Sequence, residues 1–219
     1  MSAEVTICNL ALSRIGDSAS ISSISPPDKT PQAEACSRLY PIALSTALDL
    51  HNWAFATKRA ALAELAKGSV ELGPWQHAYA LPADCKRVID LAPVEEAGAV
   101  ERLKRFVPRF PPVPRREKIE FEVVGADSGK AILANLESPL LRYICNEPKA
   151  SQFTGLFTDA LAWLLASYLA GETIRDSSGH SFAQNCLKSY QGTISMAMQQ
   201  DARQTHTKPR PVASWIARR

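Results

Sequence analysis

Long apolar runs are missing from this chain of 219 residues. The most hydrophobic segment, Ala160 to Gly171 (ALAWLLASYLAG), is twelve residues long and is bounded by Asp159 and Glu172. A bilayer-spanning helix needs roughly 20, so the segment reads as a buried helix and no membrane partner is expected. Clustered cysteines are missing as well. Cys8, Cys36, Cys85, Cys145 and Cys186 stand 28 to 60 residues apart. An odd number without short C-x(2–4)-C pairs speaks against a disulfide framework and against structural zinc, and suits small apolar fillers in a reducing compartment. The four histidines (His51, His77, His180, His206) are isolated. There is no G-x-x-x-x-G-K-[ST], no G-x-G-x-x-G after a strand, no H-E-x-x-H and no G-x-S-x-G. No catalytic residue, metal or cofactor is therefore expected. The opening Met1-Ser2-Ala3-Glu4 is acidic and leads into an amphipathic stretch, not the basic start and apolar run of a secretory leader.

What is present is an ordinary globular composition, 46% hydrophobic and 21% charged, with the charge unevenly placed. Residues 101–118 carry seven basic side chains (Arg102, Lys104, Arg105, Arg109, Arg115, Arg116, Lys118) against two acids, a net of +5. Residues 203–219 carry five (Arg203, Lys208, Arg210, Arg218, Arg219) and no acid, again +5. The whole chain is only +3, so the remainder is −7: an acidic body with two basic appendages. Both appendages are proline-rich, which favours extended segments over packed elements.

Local pattern divides the chain into helical ends and a β-like middle. Ser2 suits the cap of a first helix whose stripe is Val5, Cys8, Leu12 and Ile15, with Gly16 at its end and a Ser/Pro loop over 17–27. Thr30-Pro31 restarts a helix bearing Cys36, Tyr40, Ala43, Ala47 and Leu50 on one face, and Pro41 predicts a kink or break within it. Strand-like segments follow over 53–62, 78–81, 86–91, 119–124, 131–136 and 140–145, punctuated by turn residues. They suggest one small antiparallel sheet. After Pro148 come a helix with Phe153, Phe157, Leu161, Leu164, Leu165, Tyr168 and Leu169, apolar over much of its circumference, and a break at Gly179 and Ser181. A last helix from Phe182 to about Arg203 carries Cys186, Tyr190, Ile194 and Met198 at four-residue steps. The expected class is α+β. Residues 1–52 and 149–203 form a helical bundle, 53–148 an inserted antiparallel β lobe with a basic loop at 93–118, and 204–219 an extended C-terminal tail.

One stretch, WQHAYALPADCKRVIDL (75–91), carries reactive residue types: Cys85 beside Lys86 and Arg87, with His77 upstream. A thiolate with a histidine base is one reading. The structural reading fits better, with Tyr79 and Leu81 ending a strand, Pro82-Ala83-Asp84 turning the chain and Val88, Ile89 and Leu91 entering the next strand. Asp84 would then bond to nearby backbone amides.

Three stretches resemble one family. ICNLALSRIGDSASISSI (7–24) opens with N-x-A-L-x-x-I-G. LHNWAFATKRAALAEL (50–65) has W-x-F-A at Trp53, Phe55 and Ala56, and YALPADCKRVIDL (79–91) has a Y-x-L-P-x-D-x-x-R-V core. FTDALAWLLASYLAGETI (157–174) leads into the last helix. In this order they cover most of residues 5–203, and the chain resembles the head-to-tail adaptors of short-tailed phages, also called tail tubular protein A or head-completion proteins. The resemblance is weakest over 93–118, which is longer or more basic than that pattern. It implies a non-enzymatic virion protein, made in the bacterial host cytoplasm. Its subunits close a ring, commonly of twelve, beneath the portal protein. The ring joins the portal to the next tail component, a nozzle or a fibre or spike, and continues the channel through which genomic DNA passes. The C-terminal segment of that family reaches toward the portal, which points to Lys208, Arg210, Trp215, Ile216, Arg218 and Arg219; Trp and Arg are common interface anchors. The charge of Arg102, Lys104, Arg105, Arg109, Arg115 and Arg116 points to the DNA channel or the next tail component. The alternative is a DNA-binding accessory protein that uses the 102–118 patch.

Overall fold

The computed structural model describes residues 2–66, 68–93, 119–126, 129–173 and 177–204. Among them the chain is mixed α+β and divides into two compact units, one comprising Met1–Leu44 with Phe153–Arg219 and the other Ser45–Gln152.

The first unit holds helices from both ends of the chain: α1 (Ala3–Arg14), the greater part of α2 (Pro31–Asp49), α3 (Gly155–Thr173) and α4 (Ser177–Gln204). The Ser2 hydroxyl accepts the Val5 amide at 3.3 Å and so satisfies one of the helix's orphan donors. Val5, Ile7, Cys8, Ala11, Leu12 and Ile15 form the buried stripe, and Gly16 follows at φ +80°, the left-handed conformation that ends a helix at low cost only for glycine.

The loop after α1 is held by side chains that stand in for secondary structure. Asn9 Nδ2 donates to the Ile21 carbonyl at 3.0 Å, and Asn9 Oδ1 accepts the Ile21 amide at 2.9 Å. Asp28 Oδ2 accepts the amides of Ser22 and Ser23 and the Ser22 hydroxyl. Those bonds favour the ionised carboxylate and hold its pKa below the ordinary value.

Thr30 caps α2, its Oγ1 accepting the Ala33 amide at 3.2 Å. The helix continues through Pro41 to Asp49, so of the kink or break expected there the break does not occur; position 41 has no N–H to donate to the carbonyl four residues earlier. Cys36, Tyr40, Ala43 and Ala47 are buried as the stripe predicts. Leu50 is not: it lies just past the helix end and is 50% exposed, and Leu48 fills the core instead.

α3 packs on both α1 and α4, which accounts for its nearly uniform apolar surface. Phe157, Leu161, Leu164, Leu165 and Leu169 are all buried. α4 begins at Ser177, five residues before the expected Phe182, with Gly179 inside it. Its inward side chains include Cys186, Tyr190, Ile194 and Ala197, with Met198 only partly covered.

The second unit contains two three-stranded antiparallel sheets, not the single sheet expected. One has the order β1 (Thr57–Ala61), β6 (Pro139–Cys145), β3 (Cys85–Pro93); the other has β2 (His77–Ala80), β5 (Gly129–Ala134), β4 (Phe121–Ala126). The chain changes sheet four times, at β1–β2, β2–β3, β3–β4 and β5–β6. After β1, Leu62 N–H still donates to Pro139 C=O (3.2 Å), but Ala63 and Leu65 already bond to Ala80 and Ala78 of the other sheet (3.0 and 2.8 Å). The consecutive strands β5 and β6 also fall in different sheets, and Ser138 between them adopts φ +49°. Strands that switch sheets at a bend are a standard way to turn a corner in a layered β structure. Alternation in sequence finds strands but carries no information on which of them pair.

Residues 53–56 are not strand. Ala54–Ala56 form a 3-10 turn that precedes β1. The Trp53 indole is fully buried. Its N–H donates to the Ala47 carbonyl at 3.0 Å, and its ring stacks on Phe55 at 5.7 Å and meets His51 edge-on at 5.0 Å. No helix among the described residues is long and apolar enough to cross a membrane.

Candidate functional site

The basic side chains singled out by sequence, Arg102, Lys104, Arg105, Arg109, Arg115 and Arg116, lie outside the described residues, as do Lys208, Arg210, Trp215, Ile216, Arg218 and Arg219 of the C-terminal tail. The chemistry-bearing segment 75–91 can be followed in full. Its centre is Asp84, in the turn before β3. Lys58 of β1 donates to Asp84 Oδ2 at 2.7 Å, and the Tyr143 hydroxyl of β6 donates to Oδ1 at 2.9 Å. Asp84 thus ties together the three strands of its sheet, beyond the local backbone bonds that sequence pattern suggested. The Lys58 ammonium, foremost, holds the Asp84 carboxyl below the usual carboxylate range, with Tyr143 adding to the effect. In return the Lys58 pKa is raised by its bond to Asp84. Burial, then the bond to Asp84, pushes the Tyr143 phenol up to about 12.

Around this hub the reactive residue types take up structural work. Cys85 is half-buried, and burial raises its thiol pKa, so at neutral pH it is a thiol and a poor nucleophile. His77 sits at the start of β2, in the other sheet, with Nδ1 2.8 Å from Glu64 Oε1. The Cys–His pairing raised by the sequence is not formed.

Lys86 Nζ reaches Ser45 Oγ (2.6 Å) and Asp49 (3.1 Å), and Arg87 donates to the His51 carbonyl at 3.2 Å. The Tyr79 hydroxyl donates to the Leu136 carbonyl at 2.6 Å. On the opposite face of the β1–β6–β3 sheet, the Arg142 guanidinium pairs with Asp90 at 2.7 Å, directly across the ladder. Sequence reasoning missed Lys58, Tyr143 and Asp90 because their partners are 26 to 59 residues away. An alternating strand pattern marks a face, not a partner.

An open depression in the second unit is lined by the 69–74 loop, β4 and Leu133. Glu71 and Glu122 are among its lining residues, and Glu122 Oε2 accepts the Trp75 indole N–H at 2.9 Å. Among the described residues no three of His, Cys, Asp and Glu are grouped to hold a metal ion. Compared with known proteins, the chain matches no family model, and no curated protein is significantly similar to it.

Proposed function

We propose that this chain is a head-to-tail adaptor of a short-tailed phage, a ring-forming structural protein that binds by surface complementarity. The observation that carries the reading is the use made of the motif residues behind the resemblance. Asn9 pins the loop at Ile21, Gly16 ends α1, Trp53 anchors the segment after α2, Tyr79 ties β2 to Leu136, Asp84 joins three strands and Arg87 holds the His51 carbonyl. A motif set devoted to framework is what a protein acting through its surfaces requires.

In this reading the N- and C-terminal helices form a bundle that, with the inserted β lobe, makes the wall of a ring. The ring closes through heterologous contacts between identical subunits. The extended tail, through Lys208, Arg210, Trp215, Ile216, Arg218 and Arg219, docks on the portal protein and gains order only there. The arm with Arg102, Lys104, Arg105, Arg109, Arg115 and Arg116 faces the DNA channel or the next tail component. The protein would reside in the virion neck and need no cofactor.

The test is the mass in solution by light scattering, of the purified chain alone and mixed with its cognate portal ring. A monomer that joins the portal as a stoichiometric ring supports the adaptor and gives the copy number. A chain that ignores the portal but binds DNA with steep salt dependence favours the accessory DNA-binding protein that the 102–118 charge suggests.

A further inference from the structure

Two of the five cysteines face each other across a β-ladder. Cys85, the first residue of β3, is the register partner of Cys145, the last of β6, and the ladder shifts register immediately after it, between Cys85 and Arg87. The flanking bonds define the kind of pair. Asn146 N–H donates to the Asp84 carbonyl at 2.8 Å, just outside the two cysteines, while Cys85 N–H turns away to the Pro82 carbonyl at 2.9 Å. The two residues therefore stand as a non-hydrogen-bonded pair at the edge of a β-bulge; in a regular ladder such a pair brings opposed Cα atoms to about 4.5 Å with both side chains on one face. That spacing lies inside the ~4.4–6.8 Å range that a disulfide spans.

Access differs between the partners. Cys145 is buried and Cys85 is partly exposed. The other cysteines do not offer this combination. Cys8 of α1 and Cys36 of α2 are both fully enclosed in the helical core, and Cys186 is buried on α4.

We propose that Cys85 and Cys145 are a redox-modification site, closing to an intrachain disulfide with a disulfide-class oxidant such as oxidised glutathione. Cys85 gives up its proton to solvent and its sulfur attacks the glutathione S–S bond. One glutathione thiolate leaves, and a mixed disulfide forms on Cys85. Cys145, losing its own proton, then attacks the Cys85 sulfur, forms the protein disulfide and expels the second glutathione thiolate. The two protein thiols lose two electrons and two protons, and one oxidised glutathione becomes two reduced ones. Burial keeps both thiols above their ordinary pKa, so both rest protonated and react slowly, with entry at the more exposed Cys85. Once closed, the bond joins the two ends of the segment 86–144, which contains the whole basic 102–118 stretch, and staples the turn that carries Asp84. This inference stands independently of the adaptor reading.

The experiment treats the folded full-length chain with oxidised glutathione, quenches it with an alkylating reagent under denaturing conditions, counts thiols and maps the peptides. Five free thiols should fall to three, with Cys85 and Cys145 found in one linked peptide pair and dithiothreitol restoring all five. Cys85→Ser, at the more accessible position, should retain its four thiols under the same treatment. Because the mapping is done on the unsubstituted chain, the result does not depend on a variant folding. Retention of all five thiols, a Cys8–Cys36 link, a Cys85 adduct that never resolves, or a disulfide-linked dimer would each overturn the proposal.

Discussion

Arg14 at the end of α1 grips Asp159 of α3 through two different groups. Its Nη1 donates to the Asp159 carbonyl oxygen at 2.7 Å, and its Nη2 pairs with the Asp159 carboxylate. The same guanidinium lies over the Trp163 ring, its carbon 4.0 Å from the centroid. Fork geometry and a flat delocalised cation are both needed for this arrangement, and only arginine supplies them.

Arg14→Ala should therefore lower unfolding free energy by about 1–2 kcal/mol, since a largely buried side chain loses its hydrogen bonds and its packing on Trp163, while the Asp159 carboxylate is partly exposed. Arg14→Lys should recover only part of that, because an ammonium neither forks nor stacks well. Urea denaturation of the three proteins checks the order; equal stability of the lysine variant and the parent would remove the geometric argument.

The Asp84 hub predicts a pH signature. A carboxyl whose folded pKa is below its unfolded value of 3.8 contributes stability above that value and loses it as pH falls through the folded pKa. The parent should be more stable than Asp84→Asn by about 1 kcal/mol at neutral pH, a modest figure because the Lys58–Asp84 pair is half exposed. The gap should close as the solution is acidified below about pH 4. Urea midpoints measured across that window are decisive, and a gap independent of pH would assign the effect to shape, not charge.

Gly16 gives a test of backbone alone. At φ +80° a side chain is strained, yet nothing lies within 4 Å of where a Cβ would stand. Gly16→Ala should cost about 1 kcal/mol, and Gly16→Asn, which tolerates the left-handed region, should cost less. Thermal melts that rank alanine and asparagine the other way would mean the loop relaxes out of this conformation.

For the proposed function, removing Lys208–Arg219 should leave a chain with unchanged far-ultraviolet dichroism that no longer sediments with portal rings. Normal loading by the truncated protein would sink the assignment of portal binding to the tail.

Sequence and tertiary structure contributed different kinds of information. Short-range features were legible: the Ser2 and Thr30 caps, the end of α1 at Gly16, the buried stripe of α1 and the encircled apolar surface of α3. Each depends on residues within a turn or two of one another, where helical period and capping chemistry act directly. The strands were found to within a few residues for the same reason. Pro41 does not break its helix because a lost hydrogen bond in a long helix costs less than re-exposing the buried residues on either side of it.

Pairing had to wait for the tertiary structure. That Asp84 takes Lys58 and Tyr143, that Arg14 meets Asp159, and that Cys85 pairs with Cys145 are all contacts between residues 26 to 145 apart. By itself the sequence determined where the chain turns helical or extended and which side chains seek burial. Which buried and charged groups meet was decided only by closing the long loops between them, whose entropic cost is met by the packed core as a whole and leaves no local mark in the sequence.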